Sequence, residues 1–306
     1  MYTNSLSVED FMMQFGTDSL PDFCTELIRR RDFRWRWANP RERERTILRV
    51  LKVINSGKLS LTGEKERWAK GWGENLKAFE ESGELSDLVP KYIRKRRPMR
   101  IDGEFAIPAD PNFELNWYNV FRHWLFRQDW FSESDNIYEF GCGTGFNLAV
   151  LAHLYPDKTY CGADWVVESA KIVAKMGKQF GWNMVGIVFD FFDPDYNIPI
   201  VENSTVFSIG ALEQTGPNYE KFFEYLLHYK PRVCVHVEPI IEWLSPYGLV
   251  DYTAICHLQE RKYWSGFPKY MQKLQAEGKV EIVKMQRTGV GSLFIEGYNL
   301  FVFSPL

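Results

Sequence analysis

Hydrophobic and polar positions follow one pattern up to about residue 115 and another from about residue 136. The first stretch reads as helices, with glycines as breaks and charged positions between apolar ones. It predicts helices at 8–14, 21–32, 40–54 and 64–80, the third with Asn39 as cap and Pro40 in its first helical position. Gly57, Gly63 and Gly83 punctuate this part. Residues 94–112 carry dense charge, three prolines and one glycine, and read as a linker or a flap over a site. An aromatic helix is expected at 113–130. From there short apolar runs alternate with helical stretches, which implies a largely parallel sheet. Strands are predicted at 136–140, 159–163, 184–189, 205–209 and 232–237, with helices from Gly145, at 167–180 and at 219–229. A long helix near 258–277 and two final strands, 280–286 and 298–303, complete the pattern. The expected division is a helical lobe at 1–112 and an α/β domain at 113–306.

The run Ile137-Tyr138-Glu139-Phe140-Gly141-Cys142-Gly143-Thr144-Gly145-Phe146-Asn147 reads as strand, tight turn and helix start. Glycines at 141, 143 and 145 accept positive φ and, lacking a Cβ, let a ligand lie against the backbone. The helix that follows aims its free N–H groups at that ligand. Phe146 stands where the dinucleotide fingerprint G-x-G-x-x-G requires its last glycine. The pattern E-x-G-C-G-T-G resembles motif I of the class I, Rossmann-like S-adenosylmethionine-dependent methyltransferases. The resemblance spans roughly 115–306 and implies five α/β units followed by an antiparallel pair of strands.

S-adenosyl-L-methionine is the cofactor the resemblance implies. Asp164 ends the second strand, 23 residues beyond Gly141, where an acid accepts ribose hydroxyls; the alternative for it is a helix cap. Trp165 is a candidate to pack on the adenine. Asp190 and Phe191 end the third strand, where the resemblance implies an acid for the adenine amino group and an apolar contact for the ring. Glu139 occupies the place of an acid near the methionine moiety, with Gly141, Cys142, Gly143, Gly145 and Asn147 completing the expected cradle. Tyr118 and Arg122 are candidates to close over the cofactor or hold its carboxylate, a match for the guanidinium fork. No metal is expected, although Asp190, Asp193 and Asp195 form an acidic run. Metal-dependent O-methyltransferases carry an Asp after the fourth strand, and here Ile209-Gly210-Ala211-Leu212-Glu213-Gln214 has none.

Ligands of open α/β sheets lie beyond the C-terminal strand ends, so Glu213, Glu238 and His257 are candidate general bases for a hydroxyl acceptor. His236, inside the fifth strand, reads as a packed core histidine. The motifs N-P-P-Y and D-P-P-Y of amine-methylating enzymes, and a catalytic Pro-Cys, are absent from the sequence.

Charge narrows the acceptor. The chain carries a net −3, yet residues 25–100 hold 21 Lys and Arg against 11 Asp and Glu. That surplus of ten leaves −13 on the remainder. A basic lobe, with Arg94-Lys95-Arg96-Arg97 at its end, suits an anionic partner; the alternative is a solvated face with ion pairs such as Arg41-Glu42-Arg43-Glu44-Arg45 supplies. Five cysteines without C-x-x-C spacing suggest neither metal site nor disulfide framework, so a reducing, cytoplasmic location is expected. No signal peptide or membrane span is read. The leading expectation is metal-independent O-methylation of a sugar-like, glycan or other small anionic acceptor. The order of lobe, domain and late Glu296-Gly297-Tyr298-Asn299 resembles sugar O-methyltransferases of bacterial surface-polysaccharide pathways. Two alternatives stand beside it: an RNA or protein methyltransferase gripping its partner with the basic lobe, and a catalytically inactive methyltransferase-like scaffold.

Overall fold

The computed structural model describes residues 2–59 and 64–306; Gly63, expected as a break, lies outside them. The chain opens with strand β1 (Asn4–Ser5), helices α1 (Val8–Phe15) and α2 (Asp22–Arg30), strand β2 (Arg34–Trp37), and helices α3 (Pro40–Ile54) and α4 (Lys65–Ser82). Strands β3 (Met99–Ile101) and β4 (Glu104–Pro108) precede the aromatic helix α5 (Phe113–Leu125) and the short α6 (Asp129–Ser132). Then come β5 (Asn136–Phe140), α7 (Phe146–Leu154), β6 (Thr159–Asp164), α8 (Val167–Phe180), β7 (Met184–Val188) and β8 (Thr205–Ile209). The chain finishes with α9 (Glu220–Tyr229), β9 (Val233–Glu238), α10 (Leu249–Glu260), α11 (Phe267–Ala276), β10 (Val280–Gln286), β11 (Val290–Gly291) and β12 (Asn299–Pro305).

Seven strands form the main sheet in the order β10-β12-β9-β8-β5-β6-β7. Five of them run parallel, and β12 lies antiparallel between β9 and β10. The chain leaves β5 toward β6 on one side and returns to β8 on the other. That reversal opens a crevice at the C-terminal end of β5, where the glycine turn sits. The crossover from β7 to β8 carries no helix; Phe189 and Ile200 are buried from it, with Phe191 and Ile198 packed against the same cluster.

The first lobe holds the expected helices and also a five-stranded antiparallel sheet, β1-β2-β4-β3-β11. The segment 94–112, read as linker or flap, contributes the β3–β4 hairpin. Its turn is Asp102-Gly103, both at positive φ, the conformation a two-residue hairpin requires. The last strand of this sheet, β11, comes from the far end of the chain and pairs with β3. The two parts share a core as well: Phe15 of α1 stacks on Trp124 at 4.8 Å and meets Trp117 and Phe121 edge-on.

One expected helix is two. The run 258–277 is broken at Trp264-Ser265-Gly266, where Gly266 takes φ 80° and Pro268 sits in the first turn of α11. The turn is fixed by Trp264, whose backbone N–H donates to Glu213 O at 2.8 Å and whose indole donates to Pro239 O at 2.7 Å. No helix among the described residues is long and apolar enough to cross a membrane.

Candidate active site

The turn after β5 is tight for packing reasons that can be read atom by atom. A Cβ on Gly141 would stand 2.3 Å from that of Ala211, and one on Gly145 would stand 2.5 Å from Met176 Cε. All three glycines have positive φ. Gly145 therefore seats α7 on α8, while Gly141 and Gly143 line a cleft. That cleft also takes in Cys142, Asn147, Glu139, Asp164, Trp165, Phe191 and Tyr118. Nine of the residues expected around a cofactor thus converge on one cavity.

Asp164 accepts from the backbone N–H groups of Gly143 (2.8 Å) and Val166 (3.2 Å). Its carboxyl stiffens the turn and still faces the cleft; burial raises it to about 6. The cap of α8 is Val166 rather than Asp164. Glu139 is the end of a hydrogen-bond chain: Tyr118 Oη donates to Asn147 Oδ1 (2.8 Å), and Asn147 Nδ2 donates to Glu139 Oε1 (2.7 Å). The other oxygen, Glu139 Oε2, is buried without a partner among the described residues. Burial pushes this carboxyl up to about 8.

Three expected cofactor residues stand outside the lining. Gly145 lies behind the turn. Asp190 folds back to accept from Phe192 N–H at 2.8 Å. Arg122 donates to Phe146 O and Asn119 Oδ1, with its guanidinium 3.7 Å from the Phe146 ring centre, so it braces α5 against α7.

Of the three candidate bases, Glu213 follows β8 and Glu238 ends β9; the third, His257, is on α10. Glu238 accepts from Ser208 Oγ (2.7 Å), Ala211 N–H (3.0 Å) and Leu212 N–H (3.2 Å), which ties down the loop after β8. Glu213 is buried beside it, and burial first and Glu238 second hold its carboxyl protonated. Glu213 Oε2 has no partner among the described residues, and its neighbours Gln214 and Thr215 line the cleft. His257 lies apart from the cleft lining, stacked on Phe294 at 5.0 Å, with burial lowering it to about 3. His236 is a core histidine whose Nδ1 meets Ser208 Oγ at 2.9 Å.

The sequence suggests the first lobe as a substrate or cap lobe but does not single out the residues that cover the cleft. Trp68 and Trp72 of α4, Pro90 and Tyr92 close the cleft from the first lobe, and Phe192 and Thr215 complete its walls. Trp72 packs 3.0 Å from where a Gly143 Cβ would be. Thr144 Oγ1 of the glycine turn donates to Leu88 O at 2.6 Å, pinning the strap 85–93 across the site. The available signal was a pair of tryptophans four residues apart on an otherwise charged helix, their rings stacked at 5.4 Å.

The strand order, with its antiparallel final pair and glycine turn at the end of β5, defines the class I, Rossmann-like methyltransferase fold. No family model matches the sequence, and no curated protein matches it significantly. Solved structures with a similar fold include a geranyl diphosphate methyltransferase in complex with GPP and sinefungin (12% identity, TM-score 0.41, covering 56% of this chain and 72% of that one). An O-methyltransferase from neocarzinostatin biosynthesis is similar over 79% of this chain and 70% of its own, at 14% identity and TM-score 0.42. The plantazolicin methyltransferase BpumL is similar over 56% and 75%, at 12% identity and TM-score 0.40. Overlaps this low add nothing to the strand order itself.

Proposed function

We propose that this protein is a metal-independent methyltransferase that uses S-adenosylmethionine and methylates a hydroxyl of a sugar-like or other small anionic acceptor. The observation that carries the cofactor is the buried, partnerless Glu139 Oε2, facing the same cleft as the glycine turn and Asp164. An orphan carboxyl oxygen in a cavity calls for a donor from a ligand, and an amino-acid ammonium provides one. Asp164 would accept the ribose hydroxyls. Trp165, Phe191 and Phe192 offer flat apolar surface for a purine; Trp165 and Phe192 lie 6.0 Å apart, tilted by 32°. When bound, the cofactor supplies a methyl group activated by its sulfonium.

The chain's own contribution is position and exclusion of water. Trp68, Trp72 and Pro90 cover the cleft, and the glycine turn forms its floor. Glu213 is the candidate for the acceptor side in this reading: its buried Oε2 has no partner among the described residues, and its chain neighbours Gln214 and Thr215 line the cleft. Glu238 holds the loop, and His257 stays neutral in its packed position. Arg94, Lys95 and Arg96 are exposed directly after the capping Tyr92, which supports an anionic acceptor.

Calorimetric titration with S-adenosylhomocysteine, with NADH as comparison, tests the cofactor. Saturable binding of the first alone is the expected result; preference for NADH, or no binding, would overturn it. Methyl transfer from labelled cofactor to nucleotide-sugars and phosphorylated sugars then tests the acceptor class.

A further inference from the structure

Tyr92 is the residue of the cap that the cofactor reading leaves without a purpose. Three contacts place its strap. Thr144 Oγ1 donates to Leu88 O, Asn75 Nδ2 donates to Asp87 O at 2.6 Å, and Lys91 pairs with Glu74 at 2.5 Å. The strap is thereby fixed both to the glycine turn and to α4. Tyr92, which follows, projects into the cleft and lines it. The residue is 53% exposed and stands among the residues that line the cavity. Its phenol is in electrostatic range of Tyr118, Glu213, Glu139 and Glu114, and the surrounding protein and these groups hold it protonated. It has no hydrogen-bond partner among the described residues.

These neighbours sort the cleft into two ends. Asp164 and Trp165 mark one, and Glu139 and Tyr118 the other. Tyr92 belongs to the Glu139 end. If the ammonium of an amino-acid moiety meets Glu139 Oε2, the carboxylate beside it needs a donor. Arg122 is committed to Phe146 O and Asn119 Oδ1 and stands outside the cleft lining. Tyr118 Oη is committed to Asn147. The Tyr92 phenol, protonated and without a hydrogen-bond partner among the described residues, is a side-chain donor at this end that is open to it.

We propose that Tyr92 is a cofactor-positioning residue, its hydroxyl donating a hydrogen bond to the carboxylate of the bound cofactor's amino-acid moiety. The inference rests on the S-adenosylmethionine reading of the same cleft. A hydrogen bond to a charged group is worth about tenfold or more in affinity.

The experiment compares two probes on the full chain and on Tyr92→Phe: S-adenosylhomocysteine, and 5′-methylthioadenosine, which lacks the amino-acid moiety. Affinities come from calorimetry, with competition for the weaker ligand. The expected result is a roughly tenfold loss for S-adenosylhomocysteine in Tyr92→Phe and unchanged 5′-methylthioadenosine. Unchanged S-adenosylhomocysteine affinity overturns the assignment, as does equal weakening of both probes. Tyr92→Ala serves as a second variant: if the strap acts only as a cover, it weakens both probes alike while Tyr92→Phe weakens neither. A wild-type chain that binds neither probe refutes the cofactor reading itself and Tyr92's role with it. That result is distinct from a wild type that binds and a variant that binds equally well.

Discussion

Glu139 shows how a single carboxyl can serve a ligand at the expense of the fold. In the unfolded chain it ionises near the usual value of 4.5; in the folded chain burial raises this to about 8. Its folded value is raised, so the associated stability is complete below about 4.5 and is lost as pH rises through 8. A shift of this size is worth on the order of a few kcal/mol. Glu139→Gln keeps the shape and cannot ionise. Its melting temperature is expected to overtake wild type increasingly from pH 5 to pH 9 in thermal scans, while S-adenosylhomocysteine binding collapses. An ammonium that pairs with Glu139 also drives off its proton. Binding to the wild type near pH 7 therefore releases a proton, visible as a buffer-dependent heat. Asp164→Ala is expected to lower S-adenosylhomocysteine affinity by roughly 100-fold with the fold retained; wild-type affinity would remove the ribose role. The convergence of Glu139, Asp164 and the glycine turn on one cleft was legible because their spacing is local. Gly141, Gly143 and Gly145 lie within one turn, and Asp164 ends the adjacent strand, one βαβ unit away. Tyr92 and Trp72 were not legible, since each meets the glycine turn only through a fold that brings together positions 50 to 70 apart in sequence.

At the level of elements, boundaries followed from caps and periods. Asn39 accepts from Glu42 N–H and Glu42 reaches back to Asn39 N–H, so α3 begins where the sequence places it. The β3–β4 hairpin was missed although Asp102-Gly103 is a hairpin signal, because proline and charge around it outweighed two residues. The break between α10 and α11 was missed because Gly266-Phe267-Pro268 can either interrupt a helix or start one. The decision comes from Trp264, buried against Glu213 and Pro239. The strap has a specific weak point. Thr144→Val removes the hydroxyl that holds Leu88 O and leaves α7 intact. Hydrogen exchange across 85–93 is expected to quicken, and S-adenosylhomocysteine binding to weaken several-fold, with exchange in β5 and β6 unchanged. Equal protection of the strap in this variant would mean that other contacts secure it.

On the scale of the whole molecule, the lobe and the α/β part are joined by more than the connection at 112–113. Phe11, Phe15 and Phe33 of the lobe share a buried cluster with Phe113, Trp117 and Phe121. Arg287, near the end of the chain, pairs with the buried Glu296 at 2.8 Å and with Asp251 at 3.4 Å, beside β11. A fragment of residues 1–112 is therefore expected to lack a cooperative thermal transition, by circular dichroism, whereas the full chain melts with one. A sharp transition in the fragment would show that it is an independent domain. The sequence shows no sign of this coupling, for Val290-Gly291 is too short a run to announce a strand. Its position also has a consequence during synthesis. β3 leaves the ribosome with one edge bare and meets β11 only after nearly 190 further residues, roughly 10–40 s at usual elongation rates. For all that time the nascent lobe presents an unpaired strand edge. Crowded polysomes, in which neighbouring chains carry the same edge, are where this protein is most exposed to mispairing.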